Sequence, residues 1–135
     1  MVKLTQDMKD IAEKARIFIV ATAGKDGQPN GVPVALGKII SDDEIIVVDT
    51  LMYKTRRNLD ENPAAAITYW SSEDHYGYQL KGQVRVETWG KLFDDTVTWV
   101  KTRFPHANPK AVITVKVKEG YYIGRGKDSS KNLVE

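Results

Sequence analysis

Cysteine is absent from the 135 residues. That excludes a disulfide scaffold, an iron–sulfur cluster, a thiolate zinc site and a cysteine nucleophile. Histidine is scarce: His75 and His106 stand 31 positions apart, which argues against a multi-histidine metal centre. Long apolar runs are missing as well. The longest is Ile17 to Val20 with Ala21 beside it, against the ~20 residues a membrane-spanning helix needs. The N-terminus, Met1-Val2-Lys3-Leu4-Thr5-Gln6-Asp7, has no signal-peptide shape, so the expected location is the cytoplasm. Strong charge of one sign is lacking too. The net charge is +2, divided as −3 over residues 1–80 and +5 over residues 81–135, and so mild an asymmetry requires no nucleic-acid partner.

What is there suits a folded domain. Apolar residues make up 41% and charged residues 28%, a globular composition rather than a disordered one. At 15.2 kDa, size scaling predicts that about two-thirds of the extended chain's surface is buried on folding. The reading is one domain over residues 1–126, followed by a loose polar C-terminal tail, 127–135, held only by Leu133 and Val134.

Leu4, Met8, Ile11, Ala12 and Ala15 share one face of a helix, with Thr5 as N-cap. Ile17 to Thr22 reads as a mostly buried strand. Asp26-Gly27 marks a turn, and Asn30 to Ile40 reads as one returning strand. Pro33 lacks a ladder donor, so it belongs at an edge, a bulge or an opening in the sheet. Ser41 to Glu44 is a turn, Ile45 to Asp49 a third strand, and Lys54 to Asn62 a short helix stopped by Pro63. Ala64 to Trp70 and Tyr76 to Trp89 are further strands. Asp94 to Phe104 is a helix with Val97, Val100 and Phe104 as its apolar stripe. Ala111 to Val117 is a strand, and Glu119-Gly120 turns into a last one, Tyr121 to Ile123. The connections are too short for parallel crossovers. The fold class is therefore mainly β with helices, an antiparallel barrel of six to seven strands and two or three helices.

The segment with most chemistry is Lys54-Thr55-Arg56-Arg57-Asn58. It opens a helix directly after a buried strand, where the first amides have no internal partner and the dipole is positive. A lysine, a hydroxyl and free amides suit a phosphate dianion. A solvated helix turn with three cations has the same spacing. The other candidates are weaker. Asp42-Asp43-Glu44 lacks the spacing of a calcium loop, Asp94-Asp95 is explained by a helix dipole, Asp74-His75 reads as an exposed loop pair, and Ser129-Ser130 has no triad partners.

Five blocks in order carry a resemblance. They are Ala21-Thr22; Asp26-Gly27-Gln28-Pro29-Asn30-Gly31-Val32-Pro33-Val34; Ile45-Ile46-Val47-Val48-Asp49; Lys54-Thr55-Arg56-Arg57-Asn58-Leu59; and Asn62-Pro63 with Ala64 to Thr68. Over residues from about 11 to about 123 the chain resembles the FMN-binding split β-barrel family named for pyridoxamine 5′-phosphate oxidase. Its small FMN-binding and flavin-reductase-like members are the most similar.

The resemblance implies FMN as cofactor and a homodimer with flavin at the interface. Lys54 and Thr55 would hold the phosphate, with Asn58 buttressing that turn. Pro33 and Val34 would run past the ribityl chain and ring. Val48, Asp49 and Thr50 would set backbone groups against the isoalloxazine edge. His106 falls where a partner-chain contact is expected. The oxidase itself is longer and ends in an Arg and His pair for its substrate. Here the matching region ends on Tyr121-Tyr122-Ile123-Gly124-Arg125-Gly126, without histidine, so pyridoxamine phosphate oxidation is not expected. No catalytic residue and no metal ligand is assigned.

The expected function is thus an FMN-dependent oxidoreductase moving hydride or electrons, with NAD(P)H as a candidate donor and no membrane partner. A non-enzymatic electron carrier would use the same site, and related barrels accept a deazaflavin or haem in place of FMN. A third reading, a barrel for single-stranded nucleic acid, would use Lys81, Arg85, Lys91, Lys116 and Lys118 as its footprint.

Overall fold

A computed structural model describes residues 2–126 and 130–135. The elements are α1 (Gln6–Lys14), β1 (Phe18–Ala23), β2 (Pro29–Val34), β3 (Gly37–Ile39), β4 (Glu44–Asp49), α2 (Lys54–Glu61), β5 (Ala64–Ser71), β6 (Tyr76–Glu87), α3 (Lys91–Arg103) and β7 (Ala111–Ile123). The strands form one antiparallel sheet ordered β2-β1-β5-β6-β7-β4-β3. Among the described residues no helix is long and apolar enough to cross a membrane.

The path between β2 and β3 shapes the molecule. These strands are the two edges of the sheet, yet only Ala35 and Leu36 separate them. Seven strands laid flat would put the edges about 29 Å apart. The three peptide steps from Val34 to Gly37 reach about 11 Å at most. The sheet must therefore curl until its edges nearly meet, joined there by covalent chain and not by a ladder. That is a split β-barrel.

The single returning strand expected over Asn30 to Ile40 is accordingly two strands. Pro33 lies on the edge strand β2, opposite Ile19 of β1, where its missing N–H costs no ladder bond. Leu36 is buried with Val48 and Val100 in a small second core. Gly37 passes over the Phe18 ring so closely that a Cβ would lie 2.9 Å from its Cδ1. The burial of Leu36 and this close approach pull the chain from one edge to the other.

The expected turn at Glu119-Gly120 does not form. β7 runs on through it, paired with β6 along its length, with a bulge at Lys81/Gly82. Gly120 is small for packing: a Cβ there would meet Val134 Cγ1 at 2.9 Å, and Leu80 and Met8 at 3.2 Å. Helix α3 begins at Lys91, earlier than Asp94, after Gly90 at φ 103°. Of its expected stripe, Val100 is buried, but Phe104 is the C-cap and is 49% exposed, because the chain has left helical geometry there.

The main core fills the barrel. α1 closes one end with Met8, Ile11 and Ala12, its N-cap Thr5 accepting from the Met8 N–H at 3.2 Å. Tyr69 donates to the Met8 carbonyl at 2.8 Å. Tyr76 and Tyr78 both donate to the Asp7 carboxylate. The expected tail begins at 127–129, which lie outside the described residues. Its end packs against the barrel: Val134 is in the main core, its carbonyl accepts from Lys3, and Leu133 N–H donates to the Gly120 carbonyl.

Candidate functional site

β4 ends in Asp49, and the short link 50–53 delivers the chain into α2. Asp49 has no exposed surface. One carboxylate oxygen accepts from the Met52 N–H at 2.8 Å, and the other from Arg56 Nη1 at 2.8 Å. Its backbone carbonyl accepts from the Lys110 N–H. Asp49 thus holds the link and the first turn of α2 against the sheet.

The first turn of α2 presents donors. Its N-cap, Tyr53, makes no side-chain cap bond. The Arg57 N–H is the first to reach back, to the Tyr53 carbonyl, which leaves the Lys54, Thr55 and Arg56 amides without an intrahelical acceptor. Thr55 is 1% exposed and its Oγ1 accepts from Asn30 Nδ2 at 3.1 Å. Asn58 Nδ2 donates to Thr22 Oγ1 at 3.1 Å, and Asn30 reaches the same oxygen at 3.5 Å. Thr22, Asn30, Thr55 and Asn58 therefore bind β1, β2 and α2 into one polar network. Because both threonine oxygens accept, their hydroxyl protons remain to donate. Lys54 and Arg57 are exposed and make no ion pair among the described residues. Arg56 Nε is buried without a partner.

Beside this corner opens a cleft of about 370 Å³, within the usual range for small-molecule sites. Pro33, Val34, Val48, Thr50, Lys54 and Thr55 all line it. Of the sequence-derived residues, Asp49 and Asn58 lie behind it, bracing the wall. Leu51 and Tyr53, 90% and 81% exposed, stand at its rim. His106 lines an adjoining cleft of about 410 Å³ with Phe104 and Pro105, and the two clefts share Ala35, Leu36 and Thr50.

Thr22, Asn30 and Arg56 carry the site without having been assigned roles from sequence. Thr22 had a readable signal: it follows Phe18 and Val20 on the inward face of β1, so a hydroxyl stands at a core position. Asn30 sits between Pro29 and Gly31 and looks like a turn residue. Nothing in the spacing pairs Arg56 with Asp49.

The nucleic-acid footprint is largely neutralised. Arg85 pairs with Glu44 and Glu87, Lys91 with Asp95, and Lys116 with Asp43. Lys81 lies over the Tyr121 ring. No group of three or more metal-ligating side chains occurs among the described residues.

Residues 4–124 match the family model described as pyridoxamine 5′-phosphate oxidase. An uncharacterised protein of Methanocaldococcus jannaschii is 32% identical over 137 aligned positions, covering all of this chain and 91% of that protein. Among solved structures, HupZ of Group A Streptococcus superimposes with a TM-score of 0.81 at 27% identity, over 93% of this chain and 98% of that one. An FMN-binding protein of Syntrophomonas wolfei superimposes at 0.72 and 18% identity, over 90% and 91%. The haem storage protein HutZ of Vibrio cholerae does so at 0.69 and 14%, over 90% and 97%. The last two share the fold.

Proposed function

Because the chain belongs to the pyridoxamine 5′-phosphate oxidase family, we propose that it is an FMN-binding oxidoreductase that works as a homodimer. One observation carries this reading. An apolar slot walled by Pro33, Val34 and Val48 ends on a corner whose free groups are all donors: Lys54, the Thr55 hydroxyl and the open amides of α2. FMN has the matching two ends, a flat ring and a phosphate dianion.

Bound FMN would supply the hydride or electron chemistry. The chain's residues bind and orient. Lys54, Thr55 and the first-turn amides would hold the phosphate. Asn58, Thr22 and Asn30 fix the Thr55 rotamer, and Asp49 with Arg56 fixes the turn. Pro33, Val34 and Val48 would exclude water from one face of the ring, while the backbone of Val48 and Thr50 would meet its edge, with Asp49 bracing them from behind.

Two features support the dimer. Leu51 and Tyr53 expose apolar surface at the cleft's rim. The chain exposes 7978 Å², more than the ~7,100 Å² expected of a compact monomer of its mass. His106 and Phe104 would contact a second copy. NAD(P)H or a protein is the electron source this reading calls for, in the cytoplasm.

Haem is the second reading. It is favoured by His106 beside the cleft and by the shared fold of a haem storage protein. The test is a visible spectrum after stoichiometric FMN or haemin is added and unbound ligand is removed by gel filtration. A retained flavin spectrum is expected. Retained haem without flavin would replace FMN, and retention of neither would remove the Lys54–Thr55 assignment. Anaerobic bleaching by NADPH then separates an enzyme from a carrier, and sedimentation gives the subunit number.

A further inference from the structure

A cleft of about 750 Å³ opens between α1, β3 and α3, and Lys54 is not among the residues that line it. Its outer wall is built around Trp99. Lys38 Nζ sits 4.4 Å from the centre of that ring and the Arg103 guanidinium 5.4 Å. One aromatic side chain thus gathers two cations from separate elements, β3 and α3. Neither cation makes an ion pair among the described residues. The other charges lining the cleft are Lys9 and Asp42, which pair with each other at 2.7 Å, and Glu13.

A backbone feature points to the same place. β3 is an edge strand. Ile40 N–H donates to Glu44 O and Val48 N–H to Leu36 O. Antiparallel alternation then turns the amides of Gly37 and Ile39 away from β4. Both residues line this cleft, so it offers edge-strand donors and acceptors beside two unmatched cations.

We propose that this cleft is a second ligand site, for a small molecule carrying a phosphate or carboxylate group, with Lys38 and Arg103 gripping the oxyanion and the Gly37–Ile39 edge pairing with the rest of the ligand. Holding two cations on one ring costs Coulomb energy that the Asp95 carboxylate offsets only in part and that a bound anion would relieve. Consistent with that, burial and then the Arg103 charge push the Lys38 ammonium below its usual pKa. Trp99 holds the lysine stem and guanidinium in place, so little side-chain entropy remains to be lost on binding. The site does not depend on FMN. It does meet the flavin region, since Arg103 lines both this cleft and the one containing His106.

The test is titration of the full chain with pyrophosphate and, separately, citrate at about 0.15 M salt, where distant surface charges are screened. The readout is the Trp99 indole N–H signal in proton–nitrogen NMR. A saturable shift is expected with at least one anion, and which one responds identifies phosphate or carboxylate as the preferred group. Lys38→Met and Arg103→Gln should each weaken it about tenfold or more. Lys54→Ala should leave it intact, because that lysine belongs to the other site. No shift with either anion, or shifts equal in all variants, would overturn the proposal. FMN retention by the same variants is scored separately: a Trp99 response lost in Lys38→Met upholds this site even if no FMN binds.

Discussion

The carboxylate of Asp49, with no exposed surface, is held 2.8 Å from a guanidinium nitrogen of Arg56, which itself is 29% exposed. This unequal burial makes the pair asymmetric. Removing the arginine strands a buried charge, with Lys110 Nζ at 4.0 Å as the nearest substitute. Removing the carboxylate leaves a guanidinium that can turn to water. Arg56→Ala should therefore cost about 3 kcal/mol or more, and Asp49→Asn distinctly less. Urea denaturation of both variants checks the order, and equal costs would contradict it.

Lys54→Ala should weaken FMN binding by about 1.5–3 kcal/mol, the worth of a hydrogen bond to a charged group. Thr55→Val should weaken it too, and additionally destabilise the apo protein, because Asn30 loses its acceptor. Quenching of flavin fluorescence gives both affinities. Unchanged affinity in Lys54→Ala would locate the phosphate elsewhere.

The tyrosines around Asp7 predict an alkaline limit to stability. The hydrogen bond to Asp7, and then burial, push the Tyr76 hydroxyl up to about 12. Burial and Asp7 raise Tyr78, and burial raises Tyr69. The folded state thus keeps protons that the unfolded chain has released, so stability should fall as pH rises from about 10. Melting temperatures across pH 9 to 12 would show the fall, and Tyr76→Phe with Tyr78→Phe should flatten it. An equally steep fall in that double variant would assign it to other groups.

Gly120→Ala should destabilise by about 1–3 kcal/mol through overpacking, since its methyl group would meet Val134 Cγ1 at 2.9 Å. Val134→Ala makes room. The double variant should be more stable than the sum of the two losses, measured by thermal or urea melts. Strict additivity would mean that the tail does not press on Gly120.

These contacts mark how far the sequence could be read. Periodicity carried α1 and β6, while apolar, β-branched runs carried β1, β4 and β5, of which β4 is buried on both faces. It failed at Ala35–Leu36 and at Glu119-Gly120. The first is a change of sheet edge that leaves no break in the apolar pattern. The second contains a glycine that serves close packing and looks like a turn residue. At the site, Lys54, Thr55 and Asn58 were legible as a helix start. Thr22 showed only as a hydroxyl at a core position and Asn30 not at all, because their roles arise from β1 and β2 lying beside α2, β1 through its pairing with β5 and β2 through its pairing with β1.

The position of β7 has a consequence for how the molecule is made. β1, β2, β5 and β6 form one ladder and β3 and β4 another, and only β7, the last strand synthesised, hydrogen-bonds to both. Until residues 111–123 leave the ribosome no ladder can join these two groups, and Val48 is tied to Val34 only by way of the Ala35–Leu36 link. Closure of the candidate cleft thus waits on the last strand made, and a chain cut before Ala111 lacks the ladder that ties the β4 wall to the rest of the sheet.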